Sequence, residues 1–165
     1  MKTAIATLES LAPYSGSKHV TTPEIEGEPK SAYDERTWRE KIYSHPDGRC
    51  YIPGQALKRA LDATAAQLGL KIKGRGAKTW ASLFRAGVLC VEPLDLMAPA
   101  SGKLAPVMKD EVEYVDVYCD AVPTRKGSSG RVWRRFPIVP VWSVSAPFLI
   151  RHRLHSPKHP GQSRC

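Results

Sequence analysis

The most clearly defined element in the sequence is a helix predicted over residues 55–68. Apolar side chains recur there at 56, 57, 60, 61, 65 and 68, which is the spacing of one helix face. Gly69 follows at the place where a left-handed residue commonly ends a helix. The fourteen prolines and twelve glycines of the chain divide the remainder into short segments. This composition excludes a coiled coil or a helical bundle.

The other patterns predict mainly strands and loops. We predict strands at 2–8, 88–91, 111–119, 131–136 and 139–150, exposed loops at 11–32 and 93–106, a short helix at 79–85, and a short helix or extended arm at 31–42. One main helix among several strands is typical of an α+β fold, with an antiparallel sheet that carries a helix on one face. Residues 1–150 are predicted to form a single domain. Residues 151–165 contain one leucine and no aromatic residue, which predicts a disordered basic tail.

Positive charge is concentrated in two parts of the chain, whose formal net charge is +9. Residues 51–92 carry 7 basic and 2 acidic side chains, and residues 121–165 carry 9 basic and none acidic. A segment without carboxylates has no counterions of its own, so solvent, another part of the fold or a polyanion must balance its charge. Nucleic acid is the expected polyanion, because each neutralised phosphate releases a condensed counterion. A basic surface that serves solubility alone is the alternative.

Two basic segments have the composition of a nucleic-acid interface. Residues 71–78 surround Gly74-Arg75-Gly76 with lysines, and glycines let backbone amides approach phosphates closely. A flexible solvated connection is the alternative for this loop. In the segment 125–136, Trp133 is predicted to stack a base, or else to be a core residue. The residues predicted to contact phosphates are Lys58, Arg59, Lys71, Lys73, Arg75, Lys78, Arg125, Lys126, Arg131, Arg134 and Arg135.

The sequence contains no catalytic or nucleotide-cofactor motif of the G-x-S-x-G, H-E-x-x-H or P-loop type. His19 and His45 fall in predicted loops, where a histidine near a basic patch can act as general base on an RNA 2′-hydroxyl. A metal-independent endoribonuclease is therefore a further hypothesis, and solvated loop histidines are the alternative. No cofactor is expected.

The four cysteines contain no C-x-x-C pair, so we expect buried or incidental thiols and no zinc site. Three further histidines, at 152, 155 and 159, fall in the predicted tail, where Pro157 and Pro160 exclude the helix that would align them. No apolar run approaches the ~20 residues of a membrane span. The first ten residues are too polar for a signal peptide, which predicts a cytoplasmic protein without a membrane partner.

Residues 51–61, Tyr-Ile-Pro-Gly-Gln-Ala-Leu-Lys-Arg-Ala-Leu, resemble the Y-I-P-G-S-S-L-K-G-A-L-R segment that opens the first helix in many RAMP-superfamily proteins. These proteins are RNA-binding subunits of CRISPR effector complexes, so the resemblance implies a ferredoxin-like, RRM-type fold and RNA as partner. Gln55 and Ala56 replace two serines, and Arg59 replaces a glycine. The chain is also similar to uncharacterised proteins of phages and mobile elements, in the segment 131–137 and the strand around Trp142. That similarity implies no activity.

Both groups typically end with a helix and a glycine-arginine-rich segment, which this sequence does not contain. We therefore expect a C-terminally truncated ferredoxin-like unit without its second helix and last strand. Such a unit would expose an apolar patch near Val141, Trp142, Val144 and Phe148. Self-association or marginal stability would follow.

The leading hypothesis is a non-catalytic protein of phage or mobile-element origin that binds single-stranded RNA or DNA, with RNA preferred. It could act beside other subunits of a ribonucleoprotein complex. The alternative is an anti-defence factor or effector-complex subunit that binds protein without contacting nucleic acid. Its contact surface would then be the acidic strand at 110–120 and the loop at 11–32.

Overall fold

The computed structural model describes residues 2–119 and 132–150, and of residues 116–119 and 132–133 it describes the backbone. The described part of the chain forms an α+β fold, which confirms the predicted class. Its strands are β1 (Lys2–Glu9), β2 (Tyr14–Ser15), β3 (Tyr51–Ile52), β4 (Val88–Leu89), β5 (Leu94–Asp95), β6 (Met97–Ala100), β7 (Lys103–Pro106), β8 (Glu113–Cys119), β9 (Val132–Val139) and β10 (Ser143–Ile150). Its helices are α1 (Lys30–Thr37), α2 (Gly54–Leu68) and α3 (Trp80–Gly87), with 3₁₀ turns at Trp38–Lys41 and Lys109–Glu111.

The strands pair antiparallel in three sheets. The largest has the order β1-β10-β6-β7, with β4 also paired to β10. The second has the order β2-β9-β8, and β3 pairs with β5. β1 and β10 pair over their full length, from Lys2 opposite Ile150 to Glu9 opposite Ser143. The two ends of the described chain are therefore joined in one sheet.

Helix α2 confirms the element predicted over 55–68, and it begins one residue earlier, at Gly54. A Cβ at Gly54 would lie 2.6 Å from the carbonyl oxygens of both Cys90 and Glu92, so only glycine lets the helix start this close to the neighbouring chain. Gly69 ends the helix with φ of 57°. The short helix predicted near 79–85 is present as α3, and α1 with its following 3₁₀ turn occupies the segment 31–42.

The prediction of a loop over residues 93–106 is wrong, because this segment contains β5 and the β6–β7 hairpin. Proline is tolerated in a strand where its missing N–H faces no partner. β6 meets β10 only at Met97, so at Pro99 it is paired on one edge alone, with Leu104 of β7, and β7 with Pro106 is an edge strand. The turn between the two strands has positive φ at Ser101 and Gly102, as tight hairpins require.

The predicted apolar patch at 141–148 is also wrong in its main part. Val144 is 1% exposed and Phe148 is 9% exposed, and both belong to the core cluster with Ile52 and Leu94. Val144 and Phe148 are therefore buried together with residues of β3 and β5, and their burial does not depend on a second helix over the sheet. Val141 alone of the four is strongly exposed, while Trp142 is half-buried against the edge of Tyr14.

Candidate nucleic-acid interface

The basic loop at 69–79 joins α2 to α3 and is closed by its own backbone. The amide of Trp80 donates to the carbonyl of Leu70 over 2.9 Å, and the amide of Ile72 donates to the carbonyl of Lys78 over 2.9 Å. A further bond of 3.1 Å from the Arg75 amide to the Ile72 carbonyl makes a turn. These bonds draw the two sides of the loop together.

The tip of this loop is Gly74-Arg75-Gly76. Gly74 and Gly76 have φ of 76° and 60°, which is the left-handed region that favours glycine. A Cβ at either position would meet no atom within 4 Å, so the backbone conformation, and not crowding, requires glycine here. Lys71, Lys73, Arg75 and Lys78 are all exposed around this tip.

The loop lies within a continuous stretch of the chain without carboxylates. Residues 63–91, which form the second half of α2, the loop, α3 and β4, contain five basic and no acidic side chains. We call this stretch the basic hairpin. The stretch itself contains no acidic side chain, and the lysines beside its tip are exposed.

Lys58 lies outside the interface that was predicted for it. Its side chain is buried, and its ammonium donates to the Asp62 carboxylate and, at 3.3 and 3.4 Å, to the carbonyls of Phe84 and Arg85. The residue therefore ties α2 to the end of α3 and cannot contact a phosphate in this arrangement. Arg59 is exposed, but it stands about 13 Å along the helix axis from Leu68, at the end of α2 remote from the loop.

The two described arginines of β9 differ in their surroundings. Arg134 is exposed. Arg135 is half-buried, with its backbone amide bonded to the Asp34 carboxylate and its guanidinium 3.9 Å from Glu35 and 5.9 Å from the centre of the Tyr114 ring. Arg135 thus binds within the fold, whereas Arg134 faces outward.

The remaining predicted contacts stay predictions. Trp133 lies in β9 opposite Tyr118, where the backbone alone is described, so base stacking by its ring stays a prediction. Arg125, Lys126 and Arg131 lie outside the described residues, as does the predicted tail at 151–165.

An open cleft of about 650 Å³ borders β9, and sequence reasoning did not identify it. Its walls come from the segment 17–24, from α1 and from the outward face of β9. The lining side chains are Ser17, Lys18, His19, Val20, Glu24, Lys30, Tyr33, Asp34, Lys41, Arg134 and Phe136. These include four lysines and arginines against two carboxylates, so the cleft has a formal charge of +2 with neutral histidine.

The structure also gives His45 a carboxylate partner. Its Nε2 lies 2.8 Å from the Asp95 carboxylate, whose second oxygen accepts from Arg49 over 2.9 Å, and its ring lies 4.5 Å from that of Tyr51. Arg49 also donates to Asp47 over 2.6 Å and thereby holds the pKa of that carboxyl below its usual range. Since both oxygens of Asp95 are engaged, the arrangement fastens the 45–49 turn to β5. His19, by contrast, is exposed and lines the cleft.

Cys50 and Cys90 are buried, as predicted for incidental thiols. Burial raises the pKa of Cys50 to about 11 and also raises the pKa of Cys90, so both remain protonated and unreactive near neutral pH. Within residues 2–119 and 132–150, no three histidine, cysteine, aspartate or glutamate side chains are grouped as a metal site. No helix of the described chain is long and apolar enough to cross a membrane.

Comparison with known proteins gave no match: no family model, curated protein or solved structure matches this chain at a significant level.

Proposed function

We propose that this protein binds single-stranded nucleic acid, with RNA preferred, and does not catalyse a reaction on it. The observation that carries the proposal is the basic hairpin, where four exposed cations surround a glycine tip and no carboxylate lies between residues 63 and 91. Phosphates are the ligands that such a tip suits, because cations supply the field and glycines allow close backbone approach.

The order of elements at residues 51–68 supports the fold-level part of the proposal. Strand β3 leads through Pro53 directly into α2, so the segment that resembles the RAMP proteins forms a strand followed by a helix. A ferredoxin-like organisation, an origin in a phage or mobile element, and a place beside other subunits of a ribonucleoprotein complex belong to this proposal. They rest on that resemblance.

Direct binding measurements test the function. Nuclease-treated protein is titrated into fluorescently labelled oligo(U), oligo(dT) and a duplex RNA of equal length, and the change in anisotropy is recorded. We expect saturable binding to the single strands, tightest for oligo(U). If neither oligo(U) nor oligo(dT) binds, the proposal is refuted.

A matched pair of variants assigns binding to the basic hairpin. Replacing Lys71 and Lys73 with glutamine should weaken oligo(U) binding severalfold, since two phosphate contacts are lost. The control replaces Lys2 and Lys103, which are also exposed but belong to β1 and β7, and removes the same charge. Equal losses in both variants would show that net charge alone, and not the hairpin, governs binding.

The acidic strand β8 supports binding of a protein as a second candidate function. Tyr114 and Val115 on this strand are 50% and 52% exposed beside the acidic Glu113, a combination suited to a partner with basic and apolar side chains. Affinity capture from nuclease-treated lysate distinguishes the two functions. A protein partner that is retained after nuclease treatment, and lost on Tyr114→Ser with Val115→Ser, would favour this candidate.

A further inference from the structure

The cleft beside β9 has the volume of a small-ligand site and a lining that combines aromatic and charged side chains. Its volume of about 650 Å³ falls within the ~300–1,000 Å³ of most such sites. Two aromatic side chains, Tyr33 from α1 and Phe136 from β9, line it together with the cations. This pairing of aromatic and cationic groups is found where proteins hold single-stranded nucleic acid.

The walls of the cleft are fixed by bonds that cross between elements. The buried Asp34 carboxylate accepts from the Lys41 ammonium and from the backbone amide of Arg135, which joins α1 to β9 and to the 3₁₀ turn. Lys41 also donates to the Arg135 carbonyl over 2.7 Å and lies 4.8 Å from the centre of the Phe136 ring. Lys41 therefore links the Phe136 ring to Asp34 of α1.

The opposite wall is equally tied down. The Lys18 amide donates to the Lys41 carbonyl over 2.7 Å, and the Gly16 amide donates to the Pro137 carbonyl over 3.0 Å. The Tyr33 hydroxyl donates to the Thr22 carbonyl over 2.7 Å and joins α1 to the 17–24 segment. A Cβ at Gly16 would lie 2.8 Å from the Lys41 carbonyl oxygen, so this close approach depends on glycine.

The excess charge of the cleft comes from its exposed rim. The Lys30 ammonium pairs with Glu24, and the Lys41 ammonium pairs with Asp34, so each acid is matched by a cation. The balance of +2 is carried by Lys18 and Arg134, which are exposed. A ligand that complements this cleft has an anionic group for the rim and a planar ring for the aromatic side chains.

We propose that the cleft binds one nucleotide unit of the single strand, with its phosphate at Lys18 and Arg134 and its base against Phe136 and Tyr33. This inference rests on the proposed function and adds to it a site for one defined nucleotide. The basic hairpin contacts phosphates alone, whereas the cleft contacts a base as well. Arg134 and Phe136 lie two residues apart on the same face of β9, so in this proposal they act on the same nucleotide.

Two small probes separate the contributions of phosphate and base. Uridine monophosphate and ribose 5-phosphate are titrated into the nuclease-treated full chain and followed by calorimetry. Lys18→Gln and Arg134→Gln should each weaken both probes about fivefold, since each removes a charged hydrogen bond at an exposed rim. Phe136→Leu keeps an apolar side chain but removes the ring, so it should weaken uridine monophosphate while ribose 5-phosphate binds as before.

The pattern across variants decides the inference, because unchanged binding of ribose 5-phosphate to Phe136→Leu also shows that this variant is folded. Lys103→Gln, on β7, is the charge-matched control and should leave both titrations unchanged. The inference is overturned if uridine monophosphate does not bind. It is also overturned if the nucleotide binds equally to wild type and to the Lys18→Gln, Arg134→Gln double variant.

The same variants show whether the inference or the proposed function has failed. If oligo(U) binds wild type and the cleft variants equally but is lost from the Lys71→Gln, Lys73→Gln variant, the cleft inference fails and the function stands. If oligo(U) does not bind wild type, the proposed function fails. Specific binding of uridine monophosphate in that case would leave the cleft as a site for free nucleotides and would overturn its assignment to a strand.

Discussion

At the scale of single residues, Lys58 shows how burial separates two neighbouring cations. Lys58 and Asp62 are four residues apart, a spacing that is usually an exposed ion pair on a helix surface. The end of α3 covers this pair and adds two carbonyl acceptors, so Lys58 is a structural residue while Arg59 remains exposed. The sequence could not predict this difference, because it depends on how α3 packs.

Lys58→Ala should therefore lower the free energy of unfolding by about 2–3 kcal/mol, because the Asp62 carboxylate loses its partner in a largely buried site. Urea denaturation followed by circular dichroism measures the change. Arg59→Ala is the neighbouring control and should alter stability by less than about 0.5 kcal/mol. Equal stability of the two variants would contradict the structural role of Lys58.

The Cys50 thiol predicts a dependence of stability on pH. Burial raises its pKa from the ordinary 9.0 to about 11, so between these values the unfolded chain releases a proton that the folded chain retains. The contribution of this thiol to the free energy of unfolding is therefore fully present below pH 9. It decreases by up to about 3 kcal/mol as the pH rises through 11. Urea midpoints of wild type and Cys50→Ala, compared from pH 8 to 11, should converge as pH rises. Parallel curves would contradict the burial of this thiol.

At the scale of elements, local sequence patterns predict α2 and the basic loop but not the cleft or the β6–β7 hairpin. The helical spacing of α2 and the position of the basic loop follow from adjacent residues, so both were predictable. The cleft combines residues 17–24, α1 and β9, which are brought together by contacts such as that of Asp34 with Arg135. No local pattern connects these segments. The β6–β7 hairpin was missed because its prolines indicate loop unless the unpaired edges of its strands are known.

The glycine tip of the basic loop provides a test at this scale. Gly74→Ala with Gly76→Ala keeps every cation but places Cβ atoms on backbone with positive φ, so the tip should change conformation. We expect oligo(U) affinity to fall severalfold in anisotropy titrations. Gly102→Ala is the matched control, since Gly102 has φ of 76° and an open surrounding in the β6–β7 turn. An affinity loss of the same size in the control would assign the effect to general destabilisation.

At the scale of the whole molecule, charges of opposite sign are concentrated in different segments of the chain. The basic hairpin has no carboxylate over residues 63–91, while β8 and the preceding turn carry Asp110, Glu111, Glu113 and Asp116. One core cluster, from Trp38 to Phe148, joins the elements that carry these surfaces. The composition predicted a polyanionic partner, but the position of the exposed cations became clear only once burial was known for Lys58 and Arg135.

The dependence of oligo(U) affinity on salt tests whether the basic hairpin binds the phosphates of a single strand. On single strands each phosphate contact contributes a slope of about −0.7 in a plot of log affinity against log salt. The four cations at the tip of the basic hairpin should contribute about −3 to this slope, and the loss of two of them in the Lys71→Gln, Lys73→Gln variant should make it shallower by about 1.4. The affinity of nuclease-treated protein for labelled oligo(U) is measured at several salt concentrations between about 50 and 200 mM. A slope near zero, or equal slopes for wild type and this variant, would contradict phosphate binding by the basic hairpin.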